Sequence, residues 1–178
     1  LLEPGDSPSQ NTTFLLFLTA VIKAVDDYQE MLRASVATAG NDHRLGSSEA
    51  PPAIISVFLG DELTAIYKAL EDGTLYKDKK PTDLKIGAKV LPPLPQDTTD
   101  RNRTSPVAFT GNKFEFRMVG SASSIADTNT TLNTAIAEGL KQFADELESS
   151  NDIDTDVISL IKRTVREHEP ILFNGNNY

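Results

Sequence analysis

Residues 111–120 read Gly-Asn-Lys-Phe-Glu-Phe-Arg-Met-Val-Gly, and they restrict the fold more than any other stretch. Phe114, Phe116 and Met118 alternate with Lys113, Glu115 and Arg117. A period of two puts the apolar residues on one face of a strand and the ions on the other. The chain must therefore build a sheet and cover one of its faces with another layer. The opposite face carries cation, anion, cation in a row. Such a face is either wet or lines a site that handles charge.

The remaining patterns supply the covering layer. Asn11 or Thr12 is placed to cap a long helix over about 12–38, whose first half (Phe14, Leu15, Leu16, Phe17, Leu18, Val21, Ile22) is apolar almost all round and so calls for burial. Residues 39–52 read as a loop by composition. The continuous apolar run 53–59 suits a central strand. A helix over 61–72 follows, with Gly73 as its stop. From 74 to 105 the chain is polar and rich in proline, and Pro92, Pro93 and Pro95 favour an extended segment. Strands over 106–109 and 112–119 join at Thr110–Gly111. A helix over 129–148, capped by Asp127 or Asn129, carries an apolar stripe of Leu132, Ile136, Leu140, Phe143 and Leu147. A last helix over 154–168 buries Val157, Leu160, Ile161 and Val165, with His168 expected to interact with its C-terminus. This order predicts an α+β fold with an antiparallel sheet packed against helices.

Charge and composition exclude several roles. The 178 residues suit a single domain with a sizeable core. Acidic residues number 26 against 17 basic, a formal net charge of −9, which argues against a protein that coats nucleic acid. Cysteine is absent, so disulfides and thiolate metal sites are excluded, consistent with a reducing cytoplasmic setting. The apolar run from Phe14 to Val25 contains Lys23 and stops at Asp26 and Asp27, too short to span a bilayer. A first residue Leu1 and a final Phe-Asn-Gly-Asn-Asn-Tyr lead us to expect an internal piece of a longer protein. The sequons at Asn11, Asn102 and Asn129 then read as chance matches.

The common glycine-rich phosphate loops, His-Glu-x-x-His and Gly-x-Ser-x-Gly are all missing. Bound phosphates would need arginines and metal ions. Glu115 and Arg117 are one candidate pair: a carboxylate for a divalent metal beside a guanidinium for phosphate or carboxylate. The same pattern also fits a solvated sheet face with a cross-strand ion pair. Arg101 and Arg103 occupy a polar loop, where they could grip an anion or merely aid solubility. Asn41, Asp42, His43, Arg44 and Glu49 crowd another loop. Asp42 and His43 are poor candidates for one ion, because adjacent side chains rarely converge.

The motifs His-Arg-Leu-Gly-Ser-Ser-Glu-Ala-Pro-Pro (43–52), Asn-Arg-Thr-Ser-Pro-Val-Ala-Phe-Thr-Gly-Asn-Lys-Phe-Glu-Phe-Arg-Met-Val-Gly-Ser (102–121) and Ala-Asp-Thr-Asn-Thr-Thr-Leu (126–132) closely resemble, in order, those of type III glutamine synthetases. The resemblance covers essentially the whole chain and implies that 1–178 is a fragment of the glutamine synthetase catalytic domain. It implies ATP-driven ligation of ammonia to glutamate through a γ-glutamyl phosphate, with Mg²⁺ or Mn²⁺, in a cytoplasmic homo-oligomer of stacked rings. It assigns Arg44 to the substrate carboxylate, Glu49 to the flap that takes a proton from ammonium, and Arg103 to the nucleotide phosphates. Glu115 becomes a metal ligand, and Arg117 the group that stabilises the transferring phosphoryl. Some positions depart from the family pattern. Arg44 and Glu49 stand one residue closer together, Ala108 replaces a second arginine, Lys113 replaces the first arginine of the strand, and Asn129-Thr130-Thr131 replaces Asn-Pro-Tyr. Two other readings are a catalytically silent relative with a structural or binding role, and a γ-glutamyl ligase for another amine. Because the family's other metal ligands lie upstream of this piece and a neighbouring subunit completes its site, the 178 residues alone are expected to be inactive.

Overall fold

A computed structural model describes residues 1–47, 50–76, 83–84, 94–95 and 105–173. The elements in chain order are α1 (Thr12–Asp27), α2 (Gln29–Ser35), α3 (Ala39–Arg44), β1 (Val57–Phe58), α4 (Asp61–Asp72), β2 (Asp83–Leu84), β3 (Leu94–Pro95), β4 (Val107–Thr110), β5 (Lys113–Phe116), α5 (Ala126–Leu147) and α6 (Ile153–His168). The architecture is α+β, as expected. Most of the Pro-rich 74–105 stretch lies outside the described residues. Within it, β2 and β3 pair antiparallel.

The main sheet is mixed, in the order β1-β4-β5, and this corrects the expectation of an antiparallel sheet. β4 and β5 form an antiparallel hairpin, while β1 runs parallel to β4. The physical reason is the connection. A parallel neighbour needs a long crossover, and α4 with the segment after it supplies one between Phe58 and Val107. The other edge of β1 is covered late in the chain, where Leu172 bridges Val57 and the Phe173 amide donates to the Val57 carbonyl at 2.9 Å. The sheet's apolar face carries Val57, Val107, Phe109, Phe114 and Phe116. Phe109 stacks edge-on against Phe114 with ring centres 5.3 Å apart, and α1 brings Phe14 to 5.8 Å from Phe109.

α1 is the central helix. Phe14, Leu15, Leu18, Val21, Ile22 and Val25 are all buried in it, as its all-round apolar sequence requires. It packs on α5 and α6. Gly139 of α5 allows the close crossing, since a Cβ there would sit 3.3 Å from the Ala20 carbonyl oxygen. Asn11 caps α1 by accepting from the Phe14 amide at 3.0 Å. The single helix expected over 12–38 instead breaks at Tyr28. At the break Gln29 Nε2 donates to the Asp26 carbonyl at 3.2 Å and to its carboxylate at 3.0 Å.

α4 matches its expected span, and Gly73 ends it in the left-handed region at φ 67°. α5 begins at Ala126, earlier than expected and without an Asp127 or Asn129 cap, because Ser124 Oγ accepts from the Ala126 amide at 3.1 Å. Asp152 caps α6, whose Val157, Leu160, Ile161 and Val165 are buried. His168 is also buried, and its Nδ1 lies 2.6 Å from Asp26 Oδ2. It ties the end of α6 to the end of α1 rather than reaching its own helix terminus. No helix among the described residues is long and apolar enough to cross a membrane.

Candidate active site

The charged face of β5 is set by the hairpin. Gly111, at φ 72°, supplies the positive dihedral that a two-residue turn requires, so Thr110 pairs with Lys113 and Ala108 with Glu115. That register puts Thr110 and Glu115 on one face as diagonal neighbours. The Thr110 hydroxyl donates to Glu115 Oε1 at 3.0 Å. Arg117 donates through Nε and Nη2 to Oε2, both at 3.2 Å. The carboxylate is thus gripped at both oxygens.

The two partners differ in exposure. The Arg117 side chain is 15% exposed and that of Glu115 is 42% exposed. Partial burial pushes the Glu115 carboxyl up. The Thr110 bond, the Arg117 bonds and the charges of Arg117 and Lys113 outweigh it, so the group is held below the ordinary carboxylate range. Glu115 is therefore an anion at neutral pH. Both readings of the strand face keep part of their content. An ion pair does form, though between residues two apart in the chain rather than across two strands, and the carboxylate remains open to a ligand.

Arg44 ends α3, a helix in the stretch that composition marks as a loop. Thr38 starts it by accepting from the Asn41 amide at 3.2 Å. Arg44 Nη2 donates to the carbonyl of Met118 at 2.9 Å, and Nε donates to Asn41 Oδ1 at 3.0 Å. Met118 directly follows Arg117, so α3 is anchored just past the end of β5, next to Glu115 and Arg117. Glu49 and Arg103 lie outside the described residues, as does Arg101.

Asp42 pairs with Arg33 at 2.7 Å, and His43 is exposed. Among the described residues no cluster of three or more His, Asp or Glu side chains could hold a metal by itself. Sequence reasoning missed Thr110 and the part played by Asn41. The hairpin register could have revealed Thr110, because a two-residue turn at 111–112 makes it diagonal to Glu115. Nothing local could have revealed the bond between Asn41 and Met118.

No protein-family model matches the chain. Individual proteins do, along its whole length. It is 49% identical over 181 aligned residues to a type-3 glutamine synthetase of Dictyostelium discoideum. It is 43% identical over 186 residues to a glutamine synthetase of Bacteroides fragilis, and 45% over 190 to one of Butyrivibrio fibrisolvens. Each alignment covers 100% of this chain and 25% of the relative, so the chain spans about a quarter of the length of the curated relatives it matches. With 43–49% identity along its whole length, the chain belongs to the glutamine synthetase family.

Proposed function

We propose that this chain supplies part of the active site of an ATP-dependent glutamate–ammonia ligase, which forms glutamine through a γ-glutamyl phosphate. The observation that carries the reading is the Glu115 carboxylate, gripped by Thr110 and Arg117 yet 42% exposed. That opening leaves the carboxylate accessible to a cation while its orientation stays fixed.

In this reading Glu115 offers an oxygen that is anionic at neutral pH to Mg²⁺ or Mn²⁺ bound with ATP. When bound, the cation neutralises charge on the phosphate oxygens. Arg117 adds a fixed guanidinium at the same place, held by its bonds to Glu115, so it need not reorganise as charge spreads over the transferring phosphoryl group. Arg44 grips the carboxylate of glutamate with a planar fork of donors. Glu49 covers the intermediate and takes a proton from ammonium, and Arg103 holds the nucleotide phosphates. These last two roles rest on the matching motifs alone. The other metal ligands come from the rest of the protein, and the working unit is a homo-oligomer.

The test is Glu115→Ala in the full-length enzyme. Activity should vanish, and both Mn²⁺ and ATP should bind more weakly by direct titration. Unchanged metal dependence in that variant would remove Glu115 from the site.

A further inference from the structure

We propose that Asn41 is the positioning residue for Arg44, fixing the direction in which Arg44 presents its guanidinium to the substrate carboxylate. The inference rests on the reading of Arg44 as the carboxylate-holding residue and deepens it. Asn41 is 5% exposed and every polar atom of its amide is engaged. Nδ2 donates to the carbonyls of Val36 and Met118, both at 2.8 Å, while Oδ1 accepts from Arg44 Nε at 3.0 Å. Arg44 Nη2 donates to the same Met118 carbonyl at 2.9 Å. Asn41, Arg44 and Met118 therefore close a ring of hydrogen bonds.

The ring occupies one edge of the guanidinium, the edge formed by Nε and Nη2. The outer edge, Nη1 with the second N–H of Nη2, takes no part in the ring and is the edge suited to a bidentate carboxylate. Only an amide can play this part. Asp has no donor for the two carbonyls, and a hydrocarbon side chain would leave Arg44 Nε without its acceptor, while the Met118 carbonyl keeps only the Arg44 Nη2 bond and the Val36 carbonyl only that of the Thr38 amide. Because Met118 follows Arg117, the ring also holds the carboxylate-binding arginine in one frame with the phosphoryl-binding one. Gly120 completes the fit: a Cβ there would come within 3.1 Å of Asn41 Oδ1, so the amide would have to give by about a few tenths of an ångström.

The experiment uses the full-length enzyme and measures glutamate binding by calorimetry and KM with kcat, alongside ATP binding and thermal stability. Asn41→Ala should weaken glutamate about tenfold in both Kd and KM, about what one lost charge-assisted hydrogen bond is worth. Its ATP affinity should be unchanged and its kcat much less affected. Gly120→Ala, which keeps every atom of Asn41, should shift glutamate affinity in the same direction by a smaller factor. It decides the matter if Asn41→Ala does not fold. A lower melting temperature with wild-type glutamate affinity in both variants would reduce Asn41 to a docking contact and overturn the proposal. Equal loss of ATP and glutamate affinity would do the same. Arg44→Ala separates the two levels: normal glutamate affinity there defeats the reading of Arg44 and this inference with it. Weakened glutamate there, with normal affinity in Asn41→Ala and Gly120→Ala, defeats the inference alone.

Discussion

Thr110 shows how much one hydroxyl can set at a charged strand face. Its bond to Oε1 leaves Glu115 an acceptor already half satisfied and holds the carboxyl in its anionic form. A carboxyl depressed in the folded state contributes stability above its unfolded pKa, and that contribution is lost as pH falls through the folded value. Removing the hydroxyl raises the folded value and so narrows that window from the acid side. In Thr110→Val the acid limb of Mn²⁺ binding by the full-length enzyme should therefore move to higher pH, as read by titration of bound Mn²⁺ against pH. An unmoved limb would mean that Arg117 alone holds the carboxylate. The half-exposed position of Glu115 gives the pair little weight in overall stability.

Helix ends and crossings, rather than helix interiors, decide where α1 lies. Asn11 accepts from the Phe14 amide, and its own amide group donates to the carbonyls of Glu3 at 3.2 Å and Pro4 at 3.3 Å. The cap thus also folds the leading segment back onto the helix. Asn11→Ala should lower the unfolding free energy by about 1 kcal/mol, measured by denaturant titration. At the α1–α5 crossing the limit is steric. Gly139→Leu must push the helices apart against the Ala20 carbonyl and should cost roughly 1–3 kcal/mol. Gly139→Ala gains helix propensity and meets only a slightly tight contact, so its melting temperature should stay close to wild type. A Gly139→Leu protein as stable as wild type would show that the crossing can widen freely.

Across the whole molecule, long-range polar contacts tie the layers together where apolar burial alone would leave them free to slide. His168 joins α6 to α1 across 142 residues, and Asn41 and Arg44 join α3 to the strand end across 77 and 74. Among the described residues no group of three or more His, Asp or Glu side chains could hold a metal ion. The 178-residue chain by itself should form no γ-glutamyl hydroxamate from glutamate, hydroxylamine and ATP. Turnover by the isolated chain would contradict that expectation and, with it, the need for the rest of the relatives' length.

Local periodicity determined the α+β class, the buried nature of α1, the span of α4 with its Gly73 stop, the stripe of α5 and the two unlike faces of β5. Each of these follows from residues within a turn or two of one another, where side-chain direction is fixed by backbone geometry. Glu115 and Arg117 were legible for that reason, and Arg44 through the motif around it. Tertiary structure alone decided the parallel pairing of β1 with β4, the break at Tyr28, the helix α3 and the partner of His168. It also decided the ring of bonds through Asn41. In each of these the choice depends on a partner distant in the chain, or on a side chain competing for a main-chain bond. Such competition leaves no period in the sequence and is settled only when the layers close on one another.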